Sequence, residues 1–333
     1  MTDTDDLEFS PLFDFRNEDE VAKAARSDAG HLDRRDGAVY QMSSELHLAV
    51  EVALTTGRPL LLRGDPGTGK SSLAPYVARR LNWRYYEFVT TSKTVATDLQ
   101  WRFDAVRRLA DAQADKVKGE EEYLDPGVLW WALDRPSAQK YANEPHTETN
   151  KGRDAHRAVV LIDEIDKAHP DVPNGLLVAL GSNRISIPYL NDPITAGSGE
   201  APPLDLPREV EIGRVLVVVT TNEERELPRA FLRRCVTYRL SHPDGDELAA
   251  IAALHFSDSE QPFDADETNL AKALANRVVK LREQAKPNQH KPSTAEFLDA
   301  FRACRGFVSY NPKDPRWQLI ERVTLAKPGR EVD

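Results

Sequence analysis

Residues Gly64 to Ser71 read "GDPGTGKS" and fit the pattern G-x-x-x-x-G-K-[ST] at every fixed position. That spacing suits the capture of a polyphosphate. Glycines let the backbone turn tightly and aim several N–H groups at one anion. The candidate binding residues are Gly64, Asp65, Pro66, Gly67, Thr68, Gly69, Lys70, Ser71 and the adjoining Ser72. Lys70 is placed to reach the β- and γ-phosphates, and Ser71 to offer its hydroxyl to Mg²⁺. A helix opening at this loop adds favourable partial charge at its N-terminus. The bland alternative is a glycine turn between a strand and a helix, with Lys70 merely solvated.

Three further stretches carry polar groups at the ends of apolar runs. "AVVLIDEIDKA" ends a strand in Asp163 and Glu164. Neighbouring strand residues face opposite ways, but a chain that begins to turn there lets two carboxylates serve one site in different roles. Asp163 would hold Mg²⁺, directly or through water, and Glu164 would act as general base on a water. Asp166 and Lys167 fall in the following loop or helix. "VLVVVTTN" ends in Thr220, Thr221 and Asn222. Ligands of parallel sheets sit beyond the carboxyl ends of the strands, so Asn222 either positions the water or the γ-phosphate or simply forms a turn. "ELPRAFLRRCVTYRL" holds Arg233 and Arg234. Such a pair either ends a helix, where cations are favoured, or reaches into another molecule.

The elements that must position these groups follow from pattern. "SSELHLAVEVALTTG" predicts a helix capped by Ser43 or Ser44 and ended by Gly57, and "KSSLAPYVARRLNW" another, with Pro75 inside it. "PLLLRG", "RYYEFVT", "AVVLID", "RVLVVVTT" and "VTYRL" read as strands. Apolar runs separated by helices indicate a parallel sheet covered on both faces. Residues 1–36 form an acidic N-terminal arm with a short helix near "DEVAKAAR". Residues 37–241 form the α/β domain. The polar 135–156 stretch reads as an exposed insertion, and 185–213 as a hairpin with a long tip. Residues 98–116 read as an amphipathic helix packing Trp101, Val106 and Leu109 on the sheet. Helical periods set off a lid over 242–305, and 306–333 form a tail with one helix.

Composition sets outer bounds. The 333 residues are 40% hydrophobic, enough for a sizeable core, and carry a net charge of −10. An acidic chain is a poor generic binder of nucleic acid or anionic membrane. Basic clusters such as "RRLNWR" keep a DNA-directed motor or loader as the alternative reading, and a nucleotide-gated scaffold as a third. Cys235 and Cys304 show no ligand spacing, so neither a metal cluster nor a disulfide framework is expected. No apolar run approaches 18 residues and the start is no leader, so a soluble cytoplasmic chain is expected.

Phosphate loop, "LIDEID", Asn222, a following arginine and a C-terminal helical lid occur in an order that resembles an AAA+ ATPase, over residues 39 to 300 or so. The resemblance implies a P-loop NTPase core, a five-stranded parallel sheet in the order 5-1-4-3-2 with a C-terminal α-helical lid. It implies ATP and Mg²⁺ as ligands, with Lys70, Glu164 and Asn222 catalytic and Ser71 and Asp163 at the metal. It also implies an arginine finger serving a neighbouring subunit, Arg234 first and Arg233 second, in a homo-oligomer, a hexameric ring or open helix. "LLRGDPGTGKSSLA", "NGLLVALGSNRISIP" and "ELPRAFLRRC" are similar to the MoxR-like branch. That branch implies remodelling of a protein partner, among them proteins with a von Willebrand factor A domain, and implies contacts with substrate or the pore through the 91–132 segment and the 185–213 hairpin. The chain departs from the branch at Arg233, where an Asp is usual. It departs again in the lid, where Ala295 or Glu296 stands at the position of an expected arginine and Lys291 is the nearest cation.

Overall fold

Strands that are apolar on both sides must lie inside, and here they form one covered sheet. The computed structural model describes residues 11–15, 37–142, 150–196, 204, 212–257, 263–286, 289–307 and 315–325. Its strands are β1 (Leu60–Arg63), β2 (Trp83–Val89), β3 (Trp101–Phe103), β4 (Leu124–Pro126), β5 (Asp154–Asp163), β6 (Arg184–Ile185), β7 (Ile194–Thr195), β8 (Val215–Thr221) and β9 (Val236–Arg239). Five of them make the main sheet in the order β2-β5-β8-β1-β9, every pair parallel. Numbered within that sheet, this is the expected 5-1-4-3-2 read from the other edge.

Alternation decides which core each residue joins. Val160, Ile162, Val217 and Val219 face one cluster with Trp130 and Leu129. Val159, Leu161, Leu216 and Val218 face the other, with Val50, Leu73 and Val77 from the covering helices. Register brings the carboxyl ends level. Arg63 pairs with Thr221 and with Arg239, and Val89 with Asp163. The helix Ser44–Thr56 starts where the Ser43 hydroxyl accepts from the Leu46 N–H and ends at Gly57 in the left-handed region. The helix Lys70–Arg80 runs on through Pro75.

A third core is all helical. Leu248, Leu274, Val278, Phe297, Phe301 and Cys304 pack together from the helices Gly245–Phe256, Ala265–Gln284 and Thr294–Phe307. Trp317 of the helix Pro315–Thr324, in the stretch read as a tail, joins the same core.

Several sequence expectations are corrected. Residues 98–116 are not one helix on the sheet: β3 interrupts them and the helix Ala105–Gln113 buries none of its residues. Val106 is 79% and Leu109 61% exposed, while Trp101 is partly buried on β3. The reason is a polar attachment. The Asp104 carboxylate caps this helix at the Arg107 N–H, the Asp104 N–H donates to the Tyr123 carbonyl, and the Tyr123 hydroxyl donates to Asp111. The 135–156 stretch is not a bare insertion either. It opens with the helix Arg135–Tyr141, which buries Ala138, and its last residues begin β5. In the 185–213 stretch, β6 and β7 pair as an antiparallel hairpin, and the long tip falls largely outside the described residues. So does the "DEVAKAAR" helix. Among the described residues, no helix is long and apolar enough to cross a membrane.

Candidate nucleotide site

The loop between β1 and the helix Lys70–Arg80 depends on glycine. Gly64, at φ +141°, lies against the Leu240 carbonyl, and Gly67 and Gly69 hold φ of +75° and +90°. Those values favour residues without a Cβ. Lys70 is only 6% exposed, and its Nζ donates to the carbonyls of Gly64 and Asp65, both at 2.8 Å. The loop thus wraps a buried cation. Burial pulls the Lys70 ammonium below its usual pKa, and the carboxylates of Asp163, Asp166, Asp65 and Glu164 oppose that pull. No side chain caps the N-terminus of the Lys70–Arg80 helix, which leaves its positive end to an anion.

Asp163 stands at the end of β5, one strand from β8. Its Oδ1 accepts from Ser71 Oγ at 2.7 Å and from Thr220 Oγ1 at 2.5 Å. Two hard oxygens so placed, on Ser71 and Asp163, fit a Mg²⁺ ion that keeps some of its water. Glu164 then takes a left-handed backbone, φ 58° and ψ 46°. This is the turn that lets adjacent carboxylates share one site. Its N–H donates to Thr220 Oγ1 at 2.9 Å, and its carbonyl accepts from Thr90 Oγ1 at 2.5 Å. Its carboxylate meets Lys167 Nζ at 2.8 Å and Asn222 Nδ2 at 3.4 Å. Asp166 is buried, and its Oδ2 accepts from the backbone N–H groups of Asn222 at 3.1 Å and Glu224 at 3.0 Å. The strand-end asparagine is therefore fixed by a carboxylate from the neighbouring loop.

The helical region closes the other side. Asp65 lies 3.3 Å from Lys291 Nζ and 3.4 Å from His242 Nε2. Burial raises the Asp65 pKa, but Lys291 and His242 outweigh it and hold the carboxyl below its usual value. The Thr294 N–H donates to the Gly67 carbonyl at 3.1 Å, and Ser293 packs on Gly67. Glu296 is engaged by His290 and by the Ser293 N–H, so it stays within the helical region. Between the two parts lies an open cleft of about 1480 Å³, lined on its apolar side by Val39, Tyr40, Ile251, Leu254 and Leu298.

The structure thus gathers Gly64 to Ser72, Asp163, Glu164 and Asn222 around one cleft. Arg233 and Arg234 are exposed and do not line it. The Arg234 guanidinium bonds the Ala230 carbonyl of its own short helix at 3.3 Å. Sequence reasoning missed Thr220, Thr90, Asp166 and Lys167 as parts of the site. It also missed Glu223, which holds both Arg63 and Arg239. The spacing Glu164–Lys167 was the one available signal, since residues three apart on a helical turn face each other.

The AAA domain family, dynein-related subfamily, matches residues 59–235. A mitochondrial Lon protease homolog from Phaeodactylum tricornutum is 31% identical over 205 residues, 59% of this chain and 18% of that protein. The chloroplastic chaperone protein ClpC4 from Oryza sativa subsp. japonica is 29% identical over 169 residues, 50% of this chain and 14% of that protein. The chain therefore spans less than a fifth of the length of these relatives. Among solved structures, a mutant of RuvB from Thermotoga maritima is 18% identical, covers 79% of this chain and 60% of its own, and superposes with a TM-score of 0.41.

Proposed function

As the chain belongs to the AAA domain family, dynein-related subfamily, an ATPase family, we propose that it hydrolyses Mg·ATP in the cleft described above. The observation that carries this reading is the bonded run Ser71–Asp163–Thr220–Glu164 beside the Lys70 loop. It sets a metal-type oxygen pair and a general base on adjacent residues at one sheet edge.

Each residue has a distinct task. Lys70 leaves the loop carbonyls for the phosphates, exchanging two neutral acceptors for charged ones. Ser71 and Asp163 would hold Mg²⁺, which offsets charge on the β- and γ-phosphate oxygens. Asn222, fixed by Asp166, orients a water toward the γ-phosphorus. Glu164 accepts a proton from that water as its oxygen bonds to phosphorus and the bridging bond to the β-phosphate breaks, leaving ADP and phosphate. Lys291, on the lid and next to the loop, serves as the lid's cation in place of an arginine. Arg234, or failing that Arg233, stabilises the same charge in a neighbouring subunit. The exposure of both supports that assignment, as does their absence from their own chain's cleft. The further reading is a MoxR-like homo-oligomer that remodels a protein partner. The exposed helix Ala105–Gln113, with Val106 and Leu109 uncovered, supports a protein-facing surface.

The test is ATP turnover by the full chain with Glu164→Gln. Turnover is expected to fall about 10²- to 10⁴-fold while nucleotide affinity stays within a few-fold. Unchanged turnover would remove the assignment.

A further inference from the structure

The general base of the proposed reaction is not free. Glu164 Oε2 lies 2.8 Å from Lys167 Nζ, and Oε1 lies 3.4 Å from Asn222 Nδ2. A carboxylate held at one oxygen by an ammonium is turned toward that donor and is not free to swing onto a water. We propose that Lys167 is a restraint on Glu164, a positioning residue whose ion pair must open before the water can be activated. The proposal rests on the ATPase reading above.

Geometry explains why the two meet. The left-handed turn at Glu164 is followed at once by a single 3₁₀ turn, Ile165–Lys167. In 3₁₀ geometry side chains three apart lie nearly above one another. The Glu164 backbone is fastened at its N–H by Thr220 and at its carbonyl by Thr90. Only the side chain is left to move. The ammonium also has somewhere to go, because the carboxylates of Glu224 and Asp166 attract it as well. The pair is partly open to solvent, with Lys167 41% and Glu164 31% exposed. A half-exposed pair is weak, which suits a contact that must break in each cycle.

The experiment compares wild type with Lys167→Met, Lys167→Gln, Lys167→Arg and Glu164→Gln in the full chain. It measures kcat and KM for ATP, and equilibrium binding of a fluorescent ADP without metal. If Lys167 restrains the base, both neutral variants raise kcat about two- to fivefold, the range such an ion pair sets. KM and ADP affinity stay unchanged, and Lys167→Arg returns kcat toward wild type. A purely structural role does not raise kcat. If either folded neutral variant shows equal or lower kcat while Glu164→Gln is inactive, the restraint is refuted and the ATPase reading stands. If Glu164→Gln retains full turnover, both fall.

Discussion

Two pairs of adjacent charged residues flank strands of the main sheet, Asp163 and Glu164 at the carboxyl end of β5 and Arg233 and Arg234 just before the amino end of β9, and they are treated in opposite ways. Asp163 and Glu164 are fastened by Thr90 just past β2, by β8, by the phosphate loop and by the turn that follows β5. Arg233 and Arg234 stand exposed after a four-residue helix, and Arg234 bonds that helix's own Ala230 carbonyl. Preset groups lose no freedom when they act, which is how fixed dipoles stabilise developing charge. An unset arginine gains its geometry from whatever it meets. Under the proposed function, the contrast divides the site into a half the chain builds for itself and a half that would await a second molecule.

The strongest way to break that division is at Arg234. Arg234→Ala is expected to lower turnover by about 10³-fold or more if it acts as a finger. Mixed with wild type, it should lower wild-type activity too, and wild-type turnover per subunit should rise with protein concentration. A rate independent of concentration down to nanomolar would count strongly against a finger supplied by a second subunit. A smaller effect sharpens the other half. Thr220→Val strips Asp163 of one donor and the Glu164 N–H of its acceptor. Folding stability should fall by about 1–3 kcal/mol, read by denaturant titration, and turnover should require more Mg²⁺. A neutral result there would mean that the carboxylates are not preset after all.

The smallest effect belongs to a cluster between these extremes, Asp65 with Lys291 and His242. Burial and the nearby Arg282 push the His242 imidazole below its usual value of 6.5, with Asp65 opposing them and Lys291 adding to them. The unfolded chain therefore binds the proton first. Stability from this group is complete above about pH 6.5 and is lost as pH falls through that value toward the folded one. His242→Gln should flatten the decline in stability between pH 7.5 and 5.5, measured by chemical denaturation at each pH. Asp65, held low by the same partners, titrates well beneath that window.

What the sequence made legible tracks how local the cause is. The phosphate loop is a short run whose glycines need special backbone angles, and its pattern says so. Strands with apolar residues on both faces were readable, because burial on both sides leaves no polar alternation. The place of Thr220 beside Asp163 was not, since it depends on β5 and β8 being neighbours and on their register. Asp166 looked like a loop residue, but the left-handed turn at Glu164 tucks it under Asn222. The amphipathic pattern of Ala105–Gln113 was real, yet periodicity gives a face and not what covers it. Val106 points to water here.

The contact of Lys291 with Asp65 joins residues 226 positions apart. Closing a chain segment ten times longer costs about 2 kcal/mol more in entropy, and an exposed ion pair contributes at most about half of that. The ion pair therefore does not seat the helical region by itself; the Thr294 N–H on the Gly67 carbonyl and Ser293 against Gly67 share that task. The first turn of the helix Thr294–Phe307 borrows the Gly67 carbonyl for its leading N–H. The start of that helix is thereby tied to the loop that would hold the phosphates.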